Sequence, residues 1–379
     1  HVSSYQVSAR EFSLGNTDTL EVPLTWEENG LRVSKVFIFE RGSYKVEVQH
    51  RVENLGSAPV QIGQYAQFQR TPKVGGGGTG LTNPEAYSYF GAAVYDPNEK
   101  FIKLPFDDFR DEPFNSSVQG GWLSMVQHYF VAAWIPPAES TRQYTTQEVT
   151  SNGPLRYRVR YLSAAKQIAP GAEHTFNDRL YIGPKIQDQL EGVAPGLRFT
   201  VDYGIMTFIA KPLFYALEFI HSLVRNWGIA IIILTLLIKL VFFKLSEAQY
   251  RSMARMRKLQ PRIEALKERY GDDRQKMSQA MMDMYRKEKV NPLGGCLPIL
   301  IQIPVFISLY WVLLESVELR QAPFLLWIQD LSSKDPYFVL PILNGLAMIA
   351  TQRMTPAPGM DPMQRKIMQS MPVVFSVLF

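Results

Sequence analysis

The 379-residue sequence predicts a multi-domain membrane protein, with an N-terminal all-β domain followed by an α-helical transmembrane bundle that carries a cytoplasmic helical hairpin. Three observations predict this architecture. Apolar and polar residues alternate through residues 1–200, long apolar runs follow residue 226, and the excess of basic charge lies in the second half of the chain. Residues 1–225 hold 21 Lys/Arg against 23 Asp/Glu, whereas residues 226–379 hold 19 against 12. Basic charge beside apolar runs is typical of membrane proteins and not of nucleic-acid binders, so no specific nucleic-acid partner is expected.

The first domain is predicted to be a large antiparallel β-sandwich. Segments 44–53 and 156–161 alternate apolar and polar residues, as do strands that bury one face. Turn signals such as Asn29-Gly30 and Asp96-Pro97 recur at short intervals, and no ten-residue helical stripe occurs before residue 185. The glycine run 75–78 has no Lys-Ser/Thr after it, so it is interpreted as a flexible loop and not as a P-loop.

Catalytic chemistry is not expected in this domain. Its histidines are His1, His50, His128 and His174, and none has a recognisable carboxylate partner in the sequence. The single cysteine, Cys296, excludes a disulfide scaffold and any metal site built from several cysteines. We therefore expect no catalytic residues, no metal and no cofactor, and expect that the protein is not an enzyme.

The second half predicts one interfacial helix and four membrane segments, because a bilayer core needs about 20 helical residues and the apolar runs approach that length. In chain order the segments are an interfacial amphipathic helix (203–225), a transmembrane helix (226–245), a cytoplasmic helical hairpin (246–291), a transmembrane helix (296–316), a periplasmic loop (317–335), a transmembrane helix (336–353), a cytoplasmic loop (354–366) and the start of a further transmembrane helix (367–379). A helix that packs on the β domain is the alternative for residues 203–225.

Loop charges set the predicted orientation. Residues 246–291 hold 12 Lys/Arg against 7 Asp/Glu, residues 317–335 hold 2 against 3, and residues 352–366 hold 3 against 1. Because loops rich in Lys and Arg stay in the cytoplasm, residues 1–200 are expected in the periplasm. That position requires a signal or a membrane anchor upstream of His1.

Polar residues within the apolar segments form the candidate substrate groove. A lysine near the centre of a membrane helix costs about 2.5–3.5 kcal/mol, so Lys239 points to a function unless it reaches the cytoplasmic interface. Thr235 lies one turn earlier, Gln302 lies in the second span, and Asn344 and Met348 lie in the third. If these groups converge, they line a wet cavity in which a lone cation meets water or an incoming carboxylate.

The basic segment 246–291 is predicted to pack as two helices. Its seam positions step by three and four: Leu259, Ile263, Leu266 and Tyr270, then Met277, Met281 and Met284. Methionine adapts to varied apolar partners, so Met277, Met281 and Met284 are predicted to capture client segments on the cytoplasmic side. The alternative is that they only fill the seam. Pro261 is expected in the first turn of a helix.

Several motifs resemble the YidC/Oxa/Alb family of membrane protein insertases, in the Gram-negative form with a large periplasmic domain. In the second half they are Asn226-Trp227-Gly228, the cation in the first apolar run, and segments 247–250, 289–296 and 317–324. In the first half they are Gly120-Gly121-Trp122, Trp134-Ile135-Pro136 and segment 182–188. The resemblance covers essentially the whole chain.

The resemblance implies a periplasmic β-supersandwich, similar to sugar epimerases but without their activity. It also implies an anchor before His1, a final span after Phe379, and five core spans around a hydrophilic groove that opens to the cytoplasm and the lipid. The groove cation of the family is usually Arg. Here Lys239 keeps the charge but lacks the bidentate fork of Arg. Thr235, Gln302, Asn344 and Met348 match groove-facing positions.

The implied function is that of a membrane protein insertase and folding chaperone in the bacterial inner membrane. It would take nascent membrane proteins into the groove and release their segments into the bilayer, alone or with the Sec translocon. The implied partners are nascent membrane proteins, Sec components, the ribosome and signal recognition pathway, and anionic lipids. Two alternatives remain. A solute carrier with a sensor ectodomain would need an internal repeat of its spans, and a membrane-anchored sugar-binding protein would need a convergent His/carboxylate pair in residues 1–200.

Overall fold

The computed structural model describes residues 4–72, 88–150, 153–271, 273–288, 297–354, 363, 366–367, 369–372 and 374. The chain forms two compact units, His1–Asp202 and Tyr203–Phe379. The predicted glycine loop 75–78, the family motif at 289–296 and most of the predicted segments 354–366 and 367–379 lie outside the described residues.

The described part of the first unit consists of antiparallel strands, two short α-helices and a 3-10 helix over Leu197–Thr200. The strands are β1 Gln6–Val7, β2 Thr19–Glu28, β3 Leu31–Glu40, β4 Lys45–Asn54, β5 Val60–Ile62, β6 Tyr65–Arg70, β7 Gly91–Asp96, β8 Lys100–Leu104, β9 Asn115–Gln119, β10 Trp122–Val126, β11 Phe130–Ile135, β12 Thr141–Val149, β13 Arg156–Ser163, β14 Lys166–Ile168 and β15 Glu173–Pro184. The helices are α1 Asp108–Asp111 and α2 Gln187–Val193.

These strands form two facing sheets and a small ribbon. The large sheet has the order β1-β2-β3-β4-β15-β11-β10-β7-β8, the second has the order β6-β13-β12-β9, and β14 pairs with β5. In β13, Tyr157, Val159 and Tyr161 are buried while the residues between them are not, as the alternation predicts. They pack with Val94 and Leu123 of the large sheet. The predicted N-terminal β-sandwich is confirmed.

The Gly120-Gly121-Trp122 motif has a packing role. A Cβ atom on Gly121 would lie 2.1 Å from the carbonyl oxygen of Tyr95, so no larger residue fits there. The next residue, Trp122, stacks on the Tyr95 ring at a centroid distance of 5.7 Å. Its indole nitrogen donates a 2.9 Å hydrogen bond to the carbonyl of Pro195. This motif joins β7, β10 and the segment after α2.

The described part of the second unit is helical. Its helices are α3 Thr207–Val224, α4 Trp227–Val241, α5 Phe243–Tyr270, α6 Arg274–Lys287, α7 Leu297–Glu315 and α8 Val339–Met354. Helix α3 packs against both α4 and α7. By length and composition, Gly204–Val224 and Leu297–Glu315 can each cross a membrane, and α4 with α5 makes a third candidate although the two helices meet at 64°.

Two sequence predictions need correction here. The apolar helix predicted over 226–245 ends at Val241, and the chain bends at Phe242 before α5 begins. Pro261 lies inside α5 and not in a first turn. A proline removes one intrahelical hydrogen bond, and burial of the neighbouring seam residues Leu259 and Ile263 offsets that loss.

The predicted seam joins α5 to α6. Leu259 and Ile263 are buried, and Met281 and Met284 pack against them. An ion pair between Arg262 and Glu288 also links the two helices. Met277, the third predicted client-capture residue, is half-buried.

Helix α3 carries apolar side chains on more than the one predicted face. Its buried side chains are Ala210, Phe214, Leu217 and Ile220. Phe208, Phe219 and Leu223 are exposed instead. The helix therefore buries one apolar stripe within the second unit and leaves another uncovered. Its interfacial position remains a prediction, since its length also suits a span.

Candidate functional site

The start of α4 is fixed by one side chain. Asn226 precedes the helix, and its Oδ1 accepts a 3.0 Å hydrogen bond from the backbone nitrogen of Ile229. Its Nδ2 donates a 2.9 Å hydrogen bond to the carbonyl of Phe324, in the loop after α7. The same amide therefore caps α4 and ties it to that loop.

Close packing strengthens this junction. A Cβ atom on Gly228 would lie 2.2 Å from Cδ2 of Phe324, so the glycine allows the phenyl ring to approach the helix backbone. The ring of Trp227 stacks on His221 of α3 at a centroid distance of 3.9 Å. Two of the motifs that indicate the family, Asn226-Trp227-Gly228 and segment 317–324, thus meet in space.

The loop continues into a capped start of α8. Trp327 Nε1 donates a 2.9 Å hydrogen bond to Oδ1 of Asp335, and Oδ2 accepts one of 2.8 Å from the backbone of Leu340. The hydrogen bond from Leu340 lowers the pKa of Asp335. Partial burial alone would raise the pKa of Asp330, but hydrogen bonds donated by Ser332 and Ser333 outweigh it and lower the pKa to about 2. Both carboxylates are therefore charged and hold the loop in shape.

The other end of α4 carries the predicted groove cation. Lys239 lies in the last turn of the helix and is exposed. Its Nζ lies 4.9 Å from the ring centroid of Phe306 on α7. An ammonium over an aromatic face is attracted by the ring quadrupole, which keeps the charge near α7 without neutralising it.

Gln302 lies one helical turn before Phe306 on the same face of α7. Its Nε2 is buried and has no hydrogen-bond partner among the described residues. On α4, Thr235 is half-buried, and its hydroxyl donates a 2.8 Å hydrogen bond to the carbonyl of Ile231. The face of α7 that meets the cation of Lys239 therefore also carries an unsatisfied amide, one helical turn from Phe306.

The part of the two α8 candidates in the groove remains a prediction. Asn344 is exposed and Met348 is half-buried, and within the described residues Asn344 makes no hydrogen bond. Phe306 was missed by the sequence analysis. Its spacing of four from Gln302 was the available signal. The role of Asn226 was also missed, although an Asn before an apolar run is an ordinary helix-capping signal.

Within the described residues no group of three or more His, Cys, Asp or Glu side chains could hold a metal ion. In the first unit, Nδ1 of His50 lies 3.1 Å from the Gln64 amide, and the ring of His174 packs edge-on against Phe176. These partners suit packing and hydrogen bonding.

Comparison with known proteins covers both units. A family model described as the YidC periplasmic domain matches residues 1–216, and one described as the 60Kd inner membrane protein matches residues 219–379. The chain is 54% identical over 363 residues to "Membrane protein insertase YidC" of Nitrosococcus oceani, covering 95% of this chain and 65% of that protein. It is 50% identical to the protein of the same name from Thioalkalivibrio sulfidiphilus, over 100% of this chain and 67% of the relative.

The chain thus spans about two thirds of the length of these relatives. Among solved structures, a galactose mutarotase related enzyme from Lactobacillus acidophilus matches 48% of this chain and 71% of its own, with 10% identity and a TM-score of 0.31. A likeness that weak carries no argument about function. The two family matches, together with sequence identities near one half, establish the family of the chain. The chain belongs to the YidC/Oxa/Alb family of inner-membrane proteins, in the form that carries a YidC periplasmic domain.

Proposed function

We propose that this protein is a membrane protein insertase and folding chaperone, and that the place where Lys239 meets Phe306 receives the polar flank of a client segment. The observation that carries the proposal is the exposed cation in the last turn of an otherwise apolar helix, held over the ring of Phe306. The unsatisfied amide of Gln302 lies one helical turn from that ring on α7. The names of the relatives, which are insertases, support it.

The physical task divides into two parts. An apolar client helix already prefers lipid, because burying apolar surface yields about 25 cal/mol per Å². Its polar flank opposes insertion, since an unsatisfied polar group in hydrocarbon costs several kcal/mol. A hydrated polar groove shortens the dry path for that flank while the apolar segment moves into lipid. No bond is made or broken, so the protein needs no enzymatic chemistry and no cofactor.

Lys239 would favour acidic flanks. A cation held by an aromatic ring and not by a carboxylate keeps its charge available, so an incoming carboxylate gains a partner. Gln302 offers donors to the same group. Thr235, Asn344 and Met348 are proposed to line the remaining groove. The anchored start of α4 at Asn226 is proposed as the end that faces the periplasm.

The basic hairpin, α5 with α6, is proposed to lie in the cytoplasm. Its segment 246–291 has a net charge of +5, from 12 Lys/Arg against 7 Asp/Glu, and this suits anionic lipid headgroups or the ribosome. Met277, Met281 and Met284 are proposed to contact apolar client segments. We propose a multi-pass position in the bacterial inner membrane with residues 1–200 in the periplasm. Nascent membrane proteins, the Sec translocon and the signal recognition pathway are the proposed partners.

Site-specific crosslinking tests the groove. A photoreactive amino acid replaces Lys239, and ribosome-stalled nascent membrane proteins are presented in inner-membrane vesicles. We expect crosslinks to the segment next to the client's apolar run. Position 237 is the matched control, because Leu237 is also exposed but lies about 200° around α4 from Lys239. Equal crosslinking from both positions, or none from 239 with several clients, contradicts the proposal.

A further inference from the structure

The first unit contains a cleft of about 440 Å³ against the inner face of the large sheet. One wall is a row across three neighbouring strands, in which Lys35 pairs with His50 and His50 pairs with Phe176. Trp134 of β11 also lines it, and the residues from Gly63 to Gln67 form the opposite wall. A cleft of this volume suits a small molecule and is too small for a folded partner.

A chain of hydrogen bonds and ion pairs ends at this cleft. The hydroxyl of Tyr161 donates to Oδ2 of Asp178 at 2.5 Å, and Oδ1 of Asp178 lies 3.5 Å from Nη2 of Arg142. The same guanidinium nitrogen donates to Oε1 of Gln64 at 3.4 Å. Arginine can only donate, so it fixes the orientation of the Gln64 amide and turns its Nε2 toward His50.

The amide in turn fixes the proton on His50. Nε2 of Gln64 lies 3.1 Å from Nδ1 of His50, and because an amide nitrogen donates, Nδ1 must accept. The neutral ring therefore carries its proton on Nε2, and no described residue accepts a hydrogen bond from that atom. Burial first, and the nearby charge of Lys35 second, lower the pKa of His50 to about 4, so the ring is neutral at pH 7.

Lys35 is the second donor in the cleft. It is half-buried, and its Nζ lies 4.8 Å from the ring centroid of Phe37. It forms no ion pair within the described residues, and burial lowers its pKa. None of the described residues that line the cleft is acidic. A cation and an imidazole N–H thus stand side by side with aromatic surface around them, and among the described residues neither has a carboxylate or other hydrogen-bond acceptor.

We propose that this cleft binds a small carboxylic acid, with the carboxylate on Lys35 and Nε2 of His50 and an attached ring or apolar group against Trp134 and Phe176. Two donors without an acceptor select an anion, and a planar carboxylate can accept from both at once. The aromatic lining selects against a small, fully hydrated ion such as phosphate. The inference is independent of the proposed insertase function.

Calorimetry on the 379-residue protein in phosphatidylcholine nanodiscs tests the proposal. The probes are N-acetylphenylalanine, which carries a carboxylate, and its neutral analogue N-acetylphenylalaninamide, with empty nanodiscs as a blank. We expect the acid to bind and the amide to bind at least about tenfold more weakly, as for loss of one charged hydrogen-bonded partner. Equal affinity of the two probes, or no binding of the acid at millimolar concentration, overturns the proposal.

Variants locate the site. Lys35→Met should weaken binding of the acid by about tenfold or more, and Lys35→Arg should restore it, because the charge and donors return. Lys166→Met is the matched control, since Lys166 is an exposed strand residue outside the cleft. Gln64→Leu releases the imidazole and should weaken binding by several-fold.

Near-ultraviolet circular dichroism checks folding of each variant. Should Lys35→Met not fold, the two probes on the unaltered protein decide the question. Unchanged affinity in a folded Lys35→Met variant contradicts the assignment.

Discussion

The two units of this protein place large apolar side chains in opposite ways. In the β unit, Trp122, Tyr144 and Tyr161 are among the largest fully buried residues, and they lie in the interior. In the helical unit, Leu300, Leu326 and Phe208 are exposed by 60%, 81% and 71%. Large exposed apolar side chains in such number mark surfaces that contact a membrane or a partner. The helical unit therefore offers apolar surface to its surroundings, as suits an inner-membrane protein, whereas the β unit encloses its largest aromatic side chains.

Charged side chains also differ between the two units, in whether they are buried and paired. In the β unit the charged pair Arg142 and Asp178 is buried and linked to other polar groups. In the helical unit Lys239 is exposed in an apolar helix and rests on a phenyl ring. The first arrangement fixes the position of a strand and the second leaves a charge available for another molecule. Substitutions in the two units should therefore affect different measurements, and five predictions test this, in order of decreasing effect.

The largest effect is expected from Gly121→Ala in the β unit. The new Cβ would lie 2.1 Å from a backbone oxygen of Tyr95, which cannot rotate away, so we expect a loss of about 3 kcal/mol or more in the free energy of unfolding. Urea unfolding followed by the near-ultraviolet signal of Trp122 measures it. Gly192→Ala in α2 is the control, because nothing lies within 4 Å of its Cβ position. Equal stability of the two variants would contradict this packing role.

The second prediction concerns pH and His50. Its pKa is lowered from 6.5 to about 4, so the unfolded chain takes up a proton more readily than the folded unit, and stability is lost as pH falls from about 6.5 to about 4. The loss attributable to this group is about 3 kcal/mol. Urea unfolding of the unaltered protein and of His50→Phe at several pH values measures the contribution of His50. The comparison removes the contribution of Asp178, whose raised pKa changes stability in the opposite direction and is present in both proteins. If the free energy of unfolding changes with pH in parallel for the two proteins, the predicted role of His50 is wrong.

The third prediction concerns the helical unit and function. Lys239→Ala should reduce insertion of clients with acidic translocated tails by about tenfold, roughly 1.4 kcal/mol, and should affect neutral tails less. Lys239→Arg should support insertion, because charge is the property required. Protease protection of the translocated tail measures the yield. Lys244→Ala, which removes an exposed lysine paired with Glu247, is the control. Equal insertion of both tail types by Lys239→Ala would remove the groove cation from the mechanism.

A smaller effect is expected from replacing Met277, Met281 and Met284 together by Leu. Leucine keeps the seam against Leu259 but adapts less well to varied clients, so we expect insertion to fall by about two- to threefold while helicity is kept. Circular dichroism and insertion assays on several clients separate the two properties. If insertion is unchanged throughout, the three methionines serve the hairpin alone.

The smallest effect is expected from removing residues 1–200 while an upstream membrane anchor is kept. If the two units have separate tasks, insertion should change by less than about twofold, since the proposed groove lies in the helical unit. Insertion yield and the amount of protein in the membrane are measured together. A folded, membrane-resident deletion that inserts nothing would show that the comparison between the units is wrong.

The sequence was most informative where a pattern is local. The alternation of Tyr157, Val159 and Tyr161 predicted a strand and its buried face, and the stepping of Leu259 and Ile263 predicted a packed seam. It was less informative at single residues. Pro261 was expected at a helix start, but tertiary packing outweighed its local preference.

Contacts between residues far apart in the chain could not be predicted from the sequence. Gln64, Arg142 and Asp178 meet only because the large sheet, which carries β15, packs face to face on the second sheet, which carries β12 and β6. Lys239 was identified because a cation in an apolar run is costly, but its position over Phe306 depends on how α4 and α7 are arranged. Asn344 and Met348 were identified by their place in the third apolar run and match groove-facing positions of the family, and their contribution to a groove remains a prediction.

The tie between Asn226 and Phe324 has a mechanical consequence. Helix α4 is tied at its start by Asn226, and at its other end the chain bends at Phe242 into α5, so a small tilt of α4 would pivot about Asn226. Lys239 is thirteen residues from Asn226, or about 20 Å along the axis. A tilt of about 10° about the held end would carry the lysine sideways by about 3 Å, the length of one hydrogen bond, with almost no displacement at Asn226 itself. A tilt of this kind would therefore move the charge while the contact between Asn226 and Phe324 stays in place.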